Sequence, residues 1–304
     1  MSIKSTTPFS LSIGETKPFL TIDNQLDLLI SRGLIVNDRE NALNILRRTN
    51  YYRFSAYSLT LRKNDVFDPD VTFDDVYELY RFDDAFRKII FQYSQYVEIS
   101  LRSYLAYEFS GKYGALGYMD NKNFADPLYH VDFIAKLQEE IEKSDDVFAA
   151  HYRQDFNSVF PMWVAIECTT FGNLSKLYKN LKAEDRTTIS KKYFGTSREY
   201  VENWLQVAVF ARNVSAHGGR FYNRKLRTVP VKLPQKYSSI IDGRSAFAYA
   251  YAIYKMQPTK ALSAAMRKAL SDIWISYPFA LKRHVGFSED WEQILVDSEN
   301  TKAF

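Results

Sequence analysis

Apolar residues recur at every third or fourth position through most of this chain, the period that sets one face of an α-helix against a core. After an extended lead-in over residues 1–20, Leu26, Leu29 and Ile30 follow that spacing behind a Thr21 cap, and Gly33 marks the stop. Asn37 with Glu40 three residues on opens a second short helix, Ala42 to Arg48. Thr72 with Asp75 resembles a capping box. The apolar set behind it (Val76, Leu79, Phe86, Ile90, Val97, Leu101, Leu105) predicts one or two long helices reaching about Tyr107. Gly, Asn, Asp and Pro127 predict a loop over 111–129, and a helix comes next from Val131 to Glu142. Pro161 suits the first position of the next helix, through about Leu181, although Gly172 weakens its middle. Thr196 and Glu199 make a second capping box for a helix from Ser197 to about His217, closed by Gly218-Gly219.

Residues 228–243 read as a proline-broken, extended connection. Helix returns from Ala246 to Trp274 with an interruption near Pro258, and the tail beyond Ser288 is weakly specified. No strand alternation of useful length occurs, so the expected class is all-α. The expected organisation is an N-terminal helical extension over 1–70, a helical bundle over 71–227, and the connection with C-terminal helices over 228–304.

Composition narrows this picture. The chain is 46% apolar and 25% charged, the balance of a globular protein, and its 22 Tyr and 22 Phe supply most of a core. No apolar run approaches the roughly 20 residues that span a bilayer, and the first residues lack an apolar signal segment. Cys168 is the only cysteine, so no intrachain disulfide or cysteine metal cluster is possible. A cytoplasmic protein with no membrane association, metal or cofactor is expected. The net charge is only +4, but it is unevenly spread. From Asn203 to Ile241 there is no Asp or Glu, while Arg212, Arg220, Arg224, Lys225, Arg227, Lys232 and Lys236 carry +7, leaving −3 for the rest. Such a field marks either a polyanion site or a solvated basic face.

The sharpest chemical feature lies in that stretch: Arg212-Asn213-Val214-Ser215-Ala216-His217, at the end of a helix. RNA cleavage without a metal needs a proton-transfer group near the ribose 2′-OH and cations on the phosphate. Histidine titrates near working pH and arginine offers paired N–H donors, so the two residue types suit those roles. Asn213 and His217 share a helix face, so the amide is placed to orient the imidazole or to hold RNA. Arg212 is about 140° from His217 around an ideal helix. The two converge only if the helix end unwinds or a second chain completes the site. The spacing alone also fits a capping histidine beside a surface arginine.

With Arg220, Asn223 and Arg224 behind it, this motif resembles the Arg-Asn-x-x-x-His signature of HEPN proteins, and more closely the Abi-like abortive-infection family of AbiD/AbiF type. Asn50-Tyr51-Tyr52-Arg53 with Tyr57, Tyr80-Arg81-Phe82-Asp83, Val97 to Arg102, Pro161-Met162-Trp163 through Glu167, and Phe171 to Ser175 resemble further blocks of that family. The resemblance covers roughly residues 20 to 230. It implies a HEPN-like four-helix bundle, a homodimer with the two motifs facing each other, and a metal-independent endoribonuclease that leaves a cyclic phosphate and a 5′-hydroxyl. It also implies an anti-phage or toxin role, with a small structured RNA as a plausible antitoxin. Arg212, Asn213 and His217 would be the catalytic residues. Gly218-Gly219 departs from the bulkier or polar residues of related sequences, a change expected to affect flexibility more than chemistry.

The supporting residues have two readings each. Glu98 and Arg102, four apart, form either a plain intrahelical ion pair or a carboxylate orienting a catalytic arginine with a cation near phosphate. Tyr51, Tyr52, Phe54 and Tyr57 are mostly core or interface, with Arg53 kept as an RNA-contact candidate. Arg220, Asn223 and Arg224 are further RNA-binding candidates. Trp163, Trp204 and Phe210 read as packing residues, Cys168 as small and buried, and His130 and His151 as surface histidines; His284 is assigned nothing. Two other functions fit the same features: a non-catalytic module for structured RNA, and a HEPN dimerisation scaffold.

Overall fold

The computed structural model describes residues 18–227 and 229–299. It contains 14 α-helices and one two-stranded hairpin among those residues, which makes the fold all-α. No described helix is long and apolar enough to cross a membrane. The expected lead-in over 1–20 lies almost wholly outside the described residues.

The chain divides into two compact units, the first ending at Tyr77 and the second beginning at Glu78. In the first, α1 (Ile22–Ser31) starts on Thr21, whose Oγ1 accepts from the Asn24 N–H, and Gly33 lies just past its end at φ 95°. α2 spans Arg39–Arg48, and its cap is Asp38, one residue after the expected Asn37; the Asp38 carboxylate accepts from the Asn41 N–H. In and after α3 (Tyr51–Ser55), Phe54 and Tyr57 are buried while Tyr52 and Arg53 are exposed. The hairpin pairs β1 (Arg62–Lys63) with β2 (Val66–Phe67). Its turn residues Asn64 and Asp65 both have positive φ, as such a turn demands.

Thr72 and Asp75 do form a reciprocal capping box: the Thr72 N–H donates to Asp75 at 2.8 Å and the Asp75 N–H to Thr72 Oγ1 at 3.1 Å. The box opens one continuous helix, α4 (Phe73–Tyr113), of 41 residues. From Glu78 onward it is the spine of the second unit. Along it, Phe82 meets Trp274, the Tyr93 carbonyl accepts from Gln257, Arg102 donates to the Thr169 carbonyl, and Lys112 pairs with Asp185.

Around the spine stand α5 (Pro127–Lys143), α6 (Val147–Asp155), α7 (Met162–Ala165), α8 (Phe171–Asn180), α9 (Ala183–Ile189) and α10 (Arg198–Ala216). α10 packs on α8 and on α12 (Ala246–Lys255). α11 (Gln235–Ser238), α13 (Lys260–Ser276) and α14 (Trp291–Glu299) complete the set. Every residue of α12 is buried, so the segment after residue 240 is core to this unit.

Several local expectations change. The helix expected from Pro161 to Leu181 is broken: α7 runs into a 3-10 turn at Ile166–Cys168, and Thr170 restarts it as the cap of α8. α10 is capped by Ser197 and not by Thr196. The weakly specified tail is helical, with Trp291, Ile294, Leu295 and Ser298 buried at helical spacing. His130 is buried, its Nε2 2.8 Å from the Tyr118 carbonyl oxygen, because α5 begins at Pro127 and carries it into the core. Trp163 is 51% exposed on the short α7. Cys168 is half-buried, and burial pushes its thiol pKa up, which disfavours the nucleophilic thiolate.

Two polar side chains fix the loops beyond α10. Asn203, buried in α10, donates to the Pro230 carbonyl at 3.0 Å and accepts from the Lys232 N–H at 2.7 Å, so the proline-broken connection is docked by an amide acting like a strand edge. Asp83, fully buried on α4, accepts the backbone N–H groups of Phe221 at 3.1 Å and Tyr222 at 2.8 Å, and Arg87 at 2.8 Å. Removing one partner from such a buried set strands the others without solvent. Asp83→Ala is therefore expected to lower stability by about 3–5 kcal/mol, measured by urea unfolding, with a smaller loss for Asp83→Asn. A loss below about 1 kcal/mol for the alanine variant would contradict the clamp.

Candidate functional site

α10 buries Val201, Trp204, Leu205, Ala208 and Ala211, a stripe at helical spacing. Arg212 sits at the edge of that stripe, its side chain 34% exposed, and reaches back to α4. There its Nη2 is 3.7 Å from Glu98 Oε2, and its guanidinium carbon lies 5.9 Å from the Phe91 ring centre. The other oxygen of Glu98 accepts from Arg102 Nη2 at 2.7 Å. One buried carboxylate thus holds two guanidinium groups from two helices. The pair Glu98–Arg102 is no solvated surface pair: Arg102 is nearly buried and also donates to the Thr169 carbonyl at 2.8 Å.

A second layer fixes that carbonyl. Thr169 Oγ1 donates to Glu140 Oε2 at 2.6 Å, and Asn173 Nδ2 donates to Glu140 Oε1 at 2.9 Å, tying α5 and α8 to the site. Glu98 neutralises one of the two arginines. Glu167, at 4.0 Å from Arg102 Nε and half-exposed, is a weak counterion for the other. Three buried donors beside the motif, Arg102 Nε, Arg212 Nε and Ser215 Oγ, have no hydrogen-bond partner among the described residues. Excess positive charge with unsatisfied donors is the chemistry of an anion site.

Asn213 is exposed, and its Oδ1 accepts from Arg212 Nη1 at 3.1 Å. The amide thus steadies the arginine, where the shared helix face had offered it the imidazole or RNA. His217 is the exposed C-terminal cap of α10. Its ring makes no hydrogen bond among the described residues. The helix stays regular through Ala216, and the His217 N–H still donates to the Asn213 carbonyl at 3.0 Å. Arg212 and His217 therefore keep their separation of about 140° around the axis, and unwinding does not bring them together.

Immediately past His217 the helix ends in a Schellman stop. The Gly218 N–H donates to the Ser215 carbonyl at 3.1 Å and the Gly219 N–H to the Val214 carbonyl at 2.7 Å, with Gly218 at φ 64°. A Cβ on Gly219 would lie 2.8 Å from Val214 Cγ1. The two glycines thus set the angle at which the chain leaves the histidine, a conformational role more definite than flexibility. Beyond them Phe221 and Tyr222 are held by Asp83, and Arg220, Asn223 and Arg224 line an open cleft with Lys225, Arg227 and Arg244.

The structure brings Glu98, Arg102, Arg212 and Asn213 together, and gathers Arg220, Asn223 and Arg224 in the cleft. Arg53 belongs to the first unit and is exposed. Thr169, Glu140 and Asp83 were not singled out from sequence. Asp83 carried a signal within the Tyr80–Asp83 block, whereas nothing local marks a glutamate on α5 as the partner of Thr169.

The model of the Abi-like protein family matches residues 44–223, more than half of the chain. The chain belongs to the Abi-like family. The matched span contains Glu98, Arg102, Arg212, Asn213 and His217 and ends at Asn223, inside the loop that Asp83 holds. No curated protein and no solved structure matches the chain.

Because Gly218 occupies the left-handed region, Gly218→Ala should cost about 1–2 kcal/mol in thermal or urea unfolding. An unchanged unfolding midpoint would contradict the Schellman geometry.

Proposed function

We propose that this Abi-like protein is a metal-independent endoribonuclease of HEPN type, acting in abortive infection or as a toxin. The observation that carries the reading is the buried Glu98 carboxylate shared by Arg102 and Arg212 next to the histidine-tipped end of α10. In this chemistry the ribose 2′-oxygen attacks phosphorus while the bond from phosphorus to the 5′-oxygen breaks. The products are a 2′,3′-cyclic phosphate and a 5′-hydroxyl, and no water is consumed. Arg212, steadied by Glu98 and Asn213, takes the charge that builds on the non-bridging oxygens. His217, open to solvent at the helix tip, moves the proton at the 2′-oxygen or at the leaving oxygen.

One histidine cannot be base and acid in the same instant. The divergence of Arg212 and His217 on one regular helix also favours a site completed by a second copy of the chain. α4 also exposes apolar side chains that a second copy could cover: Ile99 and Tyr107, two helical turns apart, are 62% and 70% exposed. The proposed working form is a cytoplasmic homodimer of AbiD/AbiF type that acts on RNA, with a small structured RNA as its antitoxin. The basic cleft favours one second reading, a non-catalytic module that holds structured RNA.

Incubation of the purified protein with a broad RNA panel in EDTA separates the two. Cleavage with cyclic-phosphate ends is expected, reduced about 10²–10⁴-fold in His217→Ala and in Arg212→Ala with unchanged thermal unfolding. Intact RNA throughout, bound but uncut by the wild type, would favour the binding module.

A further inference from the structure

The family match ends at Asn223, yet the cations of the cleft do not. Arg224, Lys225 and Arg227 continue the loop beyond it, and Arg244 joins them from the start of the α12 segment, 17 residues further along the chain. The loop is built rather than loose. Phe221, Tyr222 and Leu226 are buried as its anchors. Its backbone is tied to Asp83 at Phe221 and Tyr222, to the His284 carbonyl from Asn223 N–H at 2.8 Å, and to the Arg244 carbonyl from Leu226 N–H at 3.1 Å. Asn223 takes φ 48°, which turns the chain so that Asn223, Arg224 and Lys225 face solvent between the anchors.

Asp242 lies at the edge of this cleft. It accepts from the Arg244 N–H at 2.9 Å and pairs with Lys225 at 3.3 Å, an exposed pair that offsets little of the positive charge. Five cationic side chains gathered on an anchored backbone form a track for a repeating anion. Because their backbone is fixed, binding has to order the side chains but not the loop. The track begins at Arg220, three residues after His217 in the chain.

We infer that the cleft of Arg220, Arg224, Lys225, Arg227 and Arg244 is a phosphate-backbone track for the RNA strand flanking the scissile bond. It would make this protein prefer RNA of many nucleotides to a minimal fragment. The inference rests on the reading of the site as an RNA-processing one, but it concerns binding and is tested without cleavage.

The test uses the full chain carrying His217→Ala and fluorescein-labelled RNA of 16 and of 4 nucleotides, followed by anisotropy from 50 to 200 mM salt. The 16-mer is expected to bind at least about tenfold more tightly than the 4-mer, since it alone reaches several cations. Adding Lys225→Gln, Arg227→Gln and Arg244→Gln should remove that gain and reduce the slope of log affinity against log salt by about two. Equal affinity and slope with and without the three substitutions would overturn the track. So would a protein that ignores both RNAs yet sediments with phosphatidylserine vesicles through the same three residues. Circular dichroism melts of the variants exclude unfolding as the cause. A wild type that binds in this way but cuts nothing in EDTA would remove the proposed nuclease activity and leave the track standing.

Discussion

A single carboxylate, Glu98, has to serve two guanidinium groups inside a helical core. Burying an ion is costly unless partners replace its water, and Glu98 finds them in Arg102 on its own helix and Arg212 on α10. The two contacts are unequal. Arg102 is bound at 2.7 Å and committed further to the Thr169 carbonyl, whereas Arg212 stands 3.7 Å away and is one-third exposed. The nearer arginine satisfies the carboxylate, and the farther one is oriented by it while remaining available to an incoming anion. Much of the second unit serves this arrangement: α5 and α8 fix Thr169 through Glu140, and the core stripe of α10 sets the rotation that points Arg212 inward.

The same α4 spine carries a second buried carboxylate with a different duty. Asp83 holds backbone amides and not arginines from α10, and so fixes the path of the chain after His217. Between these two carboxylates lies the Schellman turn, whose glycines set the exit angle from the helix. The start of the loop after the histidine is thus tied to α4, the helix that also presents Ile99 and Tyr107 to solvent.

Much of this was legible in the sequence, because helical periodicity and caps are local signals. The Thr72–Asp75 box and the Gly33 and Gly218-Gly219 stops read correctly. The caps at Asp38 and Ser197 stand one residue from where the sequence put them, and the larger misses depend on contacts remote in the chain. His130 looked like a surface residue until α5 was placed against Tyr118, and the break after α7 places Thr169 against a glutamate 29 residues away. Asn213 shares a face with His217, but its amide oxygen is taken by the guanidinium of the adjacent Arg212. The pairing of Glu98 with Arg102 came from their spacing, while its extension to Arg212 needed the packing of α10 on α4.

If Glu98 acts through Arg212, their effects on RNA cleavage must not multiply. The most direct measurement is the cleavage rate in EDTA for Glu98→Gln, Arg212→Ala and the double variant, beside the wild type. Glu98→Gln keeps the shape and removes the charge. It should slow cleavage at least about tenfold, and the double variant should be no slower than Arg212→Ala alone. A full rate in Glu98→Gln, or losses that multiply in the double variant, would contradict the account.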